Sequence, residues 1–218
     1  MADLRRALQR RTGAPAESGL TLVEMLVSMI VFGIAMAIVT GAAIAVVRMS
    51  HQAQDSSDAV FAVRQAVDTI DRQVRSGNVL WSPQDEATYV TTCQGMGTNA
   101  GSCMRIFTQA NGNEKCVQWQ MLADSSGTYT LRMRSWATTW QTGGAVTGWG
   151  VVARGLTMSQ APFTLEGAGT PYDRRLLRVH LAARDARTGH EIPIDQSIAG
   201  RNTSFGYDSG QCLPVPPA

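Results

Sequence analysis

A chain of 218 residues is long enough for one folded domain plus a membrane segment. Its formal net charge of +2 lies in the first 19 residues, where Arg5, Arg6, Arg10 and Arg11 outnumber Asp3 and Glu17 by two, so the remainder is balanced. That balance argues against nucleic acid as the main ligand.

The leader, residues 1–19, is polar, contains Gly13 and Pro15, and shows no apolar periodicity. It is followed by an apolar stretch from Leu20 to Val47 in which Glu24 is the only charge. As a helix this stretch rises about 42 Å, more than the roughly 30 Å of a hydrocarbon core. It exceeds the roughly 7–15-residue apolar region of a secretory signal peptide, and no small-x-small cleavage pattern follows it. Basic residues ahead of a span stay cytoplasmic, which places the chain after Val47 outside. Gly33 and Gly41 permit close helix packing or local unwinding. A carboxylate in hydrocarbon costs about 2.5–3.5 kcal/mol on insertion scales, so Glu24 is a functional candidate that needs a partner.

Beyond Arg48 the composition changes without a helix breaker. Val60, Val63, Val67, Ile70 and Val74 form one apolar stripe at alternating three- and four-residue spacing. Asp68–Arg72 and Asp71–Arg75 are acid-first i,i+4 pairs. Gly77-Asn78 reads as a stop, and no proline lies between Leu20 and Gly77. The spacing predicts one helix of about 57 residues, roughly 85 Å long. Residues 20–47 form its membrane or filament-core half, and residues 48–77 its amphipathic half.

From residue 78 to 218 the signals are β-like. Alternation is clearest over Thr128–Arg134, with shorter candidates at Thr88–Thr92, Met104–Thr108, Val117–Leu122, Gly150–Ala153 and Leu176–Leu181. Sequential strands with short turns predict an antiparallel sheet, with residues 53–76 covering one face. The fold class is therefore α+β, and Pro214, Pro216 and Pro217 make an extended tail. Cys93, Cys103, Cys116 and Cys212 all follow the span, and an even number in an exported domain reads as disulfides. Of three possible connectivities, Cys93–Cys103 and Cys116–Cys212 are favoured, because they pin a Gly-rich loop and the C-terminus. The cysteine spacings are too long for the close pairs of a zinc site, so no metal is expected.

The basic leader, then Gly19-Leu20-Thr21-Leu22-Val23-Glu24, then a long apolar helix running into an amphipathic one, resembles the class III signal of type IV pilins and type II secretion pseudopilins. The resemblance covers residues 19–76 and implies cleavage after Gly19 by a prepilin peptidase and N-methylation of the new terminus at Leu20. The run from Arg64 to Arg75 is most similar to W-type minor pilins and J-type pseudopilins. Leu20 stands where phenylalanine is usual, and the mid-helix proline of some major pilins is missing. Cleavage would create a second charge. At neutral pH a free amine and a carboxylate are oppositely charged, and in a low-dielectric bundle either one unpaired is penalised. Glu24 of one subunit and the Leu20 amine of a neighbour would then form an assembly pair.

Enzyme signatures are missing. His51, His180 and His190 neighbour no G-x-S-x-G, H-E-x-x-H or Walker loop, and no cofactor or small-molecule ligand is implied. Trp81, Trp119, Trp136, Trp140 and Trp149 read as core and subunit-contact aromatics ahead of a stacking face for sugar or nucleic acid. The arginines Arg174, Arg175, Arg178, Arg184 and Arg187 are interleaved with Asp173 and Asp185 and read as a solvated face, which leaves nucleic acid as a minor route. The expectation is a minor pilin or pseudopilin. It would be a single-pass inner-membrane precursor in contact with lipid, and later a filament subunit, with the tip or initiating complex as a candidate place. The rival readings are a membrane-anchored binding module that never polymerises and an anchored extracytoplasmic enzyme.

Overall fold

One helix, α1 (Leu22–Arg75, 54 residues), carries both the apolar stretch and the amphipathic stretch without interruption at Gly33 or Gly41. The computed structural model describes residues 21–89, 101–109, 112–167, 169, 175–185, 188–201 and 209–217. The chain divides into two compact units, Met1–Met49 and Ser50–Ala218. In the first, residues 21–49 are exposed throughout. In the second, the rest of α1 packs on an antiparallel sheet.

The stripe expected on α1 is the buried one. Val63, Val67, Ile70 and Val74 are buried together with Ala66, and Val60 is partly buried against them. They meet Met104, Ile106, Val117, Trp119, Leu131 and Leu156 on the facing side of the sheet. Gln73 lies in the same stripe and is the buried polar residue of the seam. Its Oε1 accepts from Trp119 Nε1 at 2.8 Å, so the indole N–H is not stranded. The last carbonyls of α1 are also met: Thr108 Oγ1 donates to Gln73 O (3.1 Å) and Ser76 Oγ to Arg72 O (2.7 Å). Asp71–Arg75 forms at 2.7 Å. Asp68–Arg72 does not, because Arg72 Nη2 donates instead to Thr69 Oγ1 at 3.2 Å.

The helix stops where expected, but Gly77-Asn78 is no loop. It opens β1 (Gly77–Leu80), which is followed by a short helix, α2 (Pro83–Tyr89). The candidate strand Thr88–Thr92 is thus overturned for Thr88 and Tyr89, which belong to α2, while residues 90–92 lie outside the described residues. Acidic Asp85 and Glu86 in the first turn of α2 favour helix there. The remaining strands are β2 (Cys103–Thr108), β3 (Lys115–Ala123), β4 (Tyr129–Trp136), β5 (Gly150–Thr157), β6 (Phe163–Leu165), β7 (Leu176–Arg184) and β8 (Glu191–Ala199). They form one eight-stranded sheet in the order β1-β2-β3-β4-β5-β7-β6, with β8 on the far side of β7. The sheet curls until β6 meets the residues before β2, where Phe163 N–H donates to Gly101 O at 3.1 Å. Gly101 has φ +87°, and a Cβ there would stand 2.6 Å from Phe163 O, so only glycine allows this closure.

The sheet face away from α1 is closed by the C-terminal tail. Cys116 and Cys212 form a disulfide in a second core with Phe107 and Trp136. Arg105 Nη1 donates to Cys212 O (3.2 Å), Trp140 Nε1 to Pro214 O (2.9 Å), and Arg134 to Pro216 O and Pro217 O (2.9 Å each). Burial first, then the charge of Arg132, lowers the Arg134 guanidinium to about 10. Arg105 is fully buried beside Trp81 and pairs with Glu86 Oε1 at 2.9 Å. Burial raises Glu86 above the usual carboxylate range, and Arg105 only partly opposes it. Cys103 is also disulfide-bonded, and its expected partner Cys93 lies outside the described residues.

Two stability outcomes follow from these seams. Gln73→Leu should cost about 1–3 kcal/mol in urea unfolding of the full chain in detergent, because it strands the Trp119 N–H; Trp119→Phe in that background should restore part of the loss. Replacing Cys116 and Cys212 by alanine should cost about 2–5 kcal/mol by the same measurement, because the bridge closes a sequence separation of 96 residues.

Candidate functional site at the start of the long helix

The geometry of the helix start rests on Thr21 and Glu24. Leu22 is the first helical residue, and Met25 N–H donates to Thr21 O at 3.1 Å, which makes Thr21 the N-cap. Thr21 Oγ1 accepts from Glu24 N–H (3.3 Å) and stands 3.4 Å from Glu24 Oε2, to which it donates. Thr21-Leu22-Val23-Glu24 therefore has the residue types and spacing of a capping box, with Glu24 at the third helical position. The carboxylate also lies at the positive end of the helix macrodipole. This capping role for Glu24 was readable as a T-x-x-E pattern ahead of an apolar run, and the sequence reading did not use it. Gly19 and Leu20 lie outside the described residues.

The surface behind this start is uniform. From Leu22 (81 % exposed) through Phe32 and Ile38 to Met49, large apolar side chains face outward all round the helix, and its most apolar 18-residue window has a mean hydropathy of 2.6. An added Cβ at Gly33 or Gly41 would meet nothing within 4 Å, so in the single chain neither glycine is explained by a contact. A helix apolar on every side suits lipid or a bundle of other helices.

Elsewhere the candidate residues do not converge on a catalytic centre. His51 is exposed on α1, and His190 is exposed in the turn before β8. His180 on β7 holds Asp195 of β8, with Nδ1 2.6 Å from Oδ1, and Gln160 Nε2 approaches the same ring nitrogen at 3.0 Å. This pair lines a cleft of about 420 Å³ with Arg178, Thr164 and Ser197. His180 Nε2 is buried without a hydrogen-bond partner, and Asp195 is 68 % exposed, so the nitrogen that would act as a base is not offered to a substrate. Arg178 pairs with Glu166 at 2.8 Å on the solvated face, while Asp173, Arg174 and Arg187 lie outside the described residues. The tryptophans form no single face. Trp119 is in the core beneath α1, Trp81, Trp136 and Trp140 pack in the second core, and Trp149 stacks on Arg132 (4.4 Å) and Arg134 (4.7 Å). No group of three or more metal-ligating side chains occurs among the described residues.

The family model of the prokaryotic N-terminal methylation motif matches residues 15–40. No curated protein and no solved structure matches the chain. The matched segment runs from residue 15 through the capped helix start to Thr40, within the exposed apolar stretch of α1. Such a motif is that of a structural family; it implies processing by a prepilin peptidase and assembly with other pilin-type subunits. The N-terminal segment thus carries the methylation motif of pilin- and pseudopilin-type precursors.

Proposed function

We propose that the chain is a minor pilin or pseudopilin, a non-catalytic subunit that enters a type IV pilus or type II secretion pseudopilus through α1. Residues 1–19 are the cytoplasmic leader, removed after Gly19, and the new Leu20 terminus is methylated. Residues 20–47 anchor the precursor in the inner membrane, residues 48–77 join the anchor to the domain, and residues 78–218 lie outside the cell membrane. The observation that carries this reading is the exposed helical surface from Leu22 to Val47, which bears one charge, Glu24, three positions into the helix and inside the matched methylation motif. Such a surface must be covered by lipid before assembly and by other helices after it. In the filament the Glu24 carboxylate meets the Leu20 amine of a neighbour, which sets axial register. Nothing in this reading requires nucleic acid or a small molecule.

Capping and pairing make different demands on Glu24, and this separates them experimentally. Glu24→Gln keeps the shape and hydrogen-bonding capacity of the cap but removes the charge. It should leave membrane insertion and cleavage intact and reduce co-purification with filament subunits at least tenfold. Thr21→Ala removes the cap but keeps the charge, and should retain incorporation. Equal incorporation of Glu24→Gln and the parent would overturn the charge pair. Mass spectrometry of the mature terminus tests the wider reading: methylated Leu20 is expected, and an uncleaved chain would favour a plain anchor carrying a binding module.

A further inference from the structure

Strand β8 has one partner, β7, along its whole length, from Leu176↔Ala199 to Arg184↔Glu191. The hydrogen-bond phase of the pair follows from its two ends. Gly200 N–H donates to Arg175 O (2.8 Å) and Asp185 N–H to His190 O (2.9 Å), so the even-numbered residues of β8 bond to β7. The backbone groups of Glu191, Pro193, Asp195, Ser197 and Ala199 therefore point away from the sheet, and none of them is bonded among the described residues. Pro193 falls in this outward set, so its missing N–H costs no ladder bond. It blocks the first part of the edge and leaves Asp195, Ser197 and Ala199 as an open row of N–H and C=O groups.

The side chains of the same five residues sort what can pair there. The set holds two carboxylates, Glu191 and Asp195, and no cation. His180 fixes the Asp195 carboxylate at 2.6 Å, yet Asp195 stays 68 % exposed, so it is aimed without being covered. The nearest cation on the adjoining strand, Arg178, is already held by Glu166. A second copy paired antiparallel about Asp195 would set Asp195 against Asp195 and Pro193 against Ser197, which opposes like charges and loses a bond. A strand with a basic side chain opposite Asp195 meets neither obstacle.

We infer that the free edge of β8, over Asp195–Ala199, receives an extended segment of a partner protein that bears a lysine or arginine opposite Asp195. Main-chain bonds to Asp195, Ser197 and Ala199 supply the attachment, and the carboxylate held by His180 supplies the choice of partner. The surface belongs to the folded unit and is independent of the filament reading of α1.

The test uses the full chain in detergent micelles with two synthetic nonapeptides of alternating threonine and valine, one with a central lysine and one with a central glutamate. The lysine peptide should bind about fivefold more tightly than the glutamate peptide and should slow hydrogen exchange at the amides of Asp195, Ser197 and Ala199. Asp195→Lys should reverse the order of the two peptides. Ser197→Pro removes only an edge-facing N–H, so it should abolish binding while the amides of Ile194, Gln196 and Ile198 keep their protection. Equal affinity for the two peptides, protection elsewhere, or unchanged binding by Ser197→Pro would each overturn the inference. So would edge protection that grows with protein concentration without peptide, which would assign the edge to a second copy.

Discussion

The structure depends on one seam, the contact between the second half of α1 and the concave side of the sheet. Val63, Ala66, Val67, Ile70 and Val74 enter the main core, and Gln73 enters with them because Trp119 provides a donor for it. A helix of 54 residues would gain little from its own propensity if its polar half lay free in water, since most helical stability in proteins comes from packing one face. Burying this stripe fixes where the folded unit sits along the chain. Residues 21–49 belong to the other unit and are exposed throughout.

The opposite face of the sheet solves a different problem. Arg105, Gln118 and Arg134 lie side by side across β2, β3 and β4, where an apolar layer would be expected. They are tolerated because the tail supplies backbone carbonyls: Cys212, Pro216 and Pro217 accept from the two guanidiniums. Proline suits a segment used this way, since it has no N–H of its own to satisfy and its carbonyl is free. The Cys116–Cys212 bridge holds that segment in place, so disulfide, tail and buried arginines form one mutually dependent unit. Removing any one of them would leave buried polar groups short of partners.

Much of this was legible in sequence, for identifiable reasons. The stripe of α1 was readable because apolar residues recur on one face over four turns. The hairpin strands β3 and β4 were readable because turn residues bracket their alternation. The pairing of Cys116 with Cys212 was favoured because it would tie down the tail, and it does. What escaped was set by tertiary context. β1 is only four residues long and begins with the very glycine that marks the helix stop. α2 contains Thr88 and Tyr89, residues of high strand propensity, but its acidic first turn and its packing against β2 decide otherwise. β8 alternates Ile192, Ile194 and Ile198 with polar residues, yet Pro193 counts against a strand until it is known to face the free edge. Thr21 was overlooked because the helix was read by its apolarity and not by its cap.

The cap also bears on how the Glu24 site works. In the single chain the carboxylate has a helix terminus and a hydroxyl at 3.4 Å, a long contact that satisfies only part of its hydrogen-bonding capacity. Interactions of this kind contribute about 0.3–1 kcal/mol, while a carboxylate in hydrocarbon costs about 2.5–3.5 kcal/mol. The cap therefore lowers the cost of carrying Glu24 in a lone helix without removing it. In the proposed precursor, a residue placed in this way would bear a reduced cost and would still gain by meeting a cation. Had Glu24 lain a turn deeper, without the cap, the lone chain would bear more of that cost. Had it lain before Thr21, outside the helix, the headgroups would have solvated it and nothing would favour assembly. If the proposed charge pair forms, its third position in the helix is the one that would leave a residual cost for a neighbour to relieve.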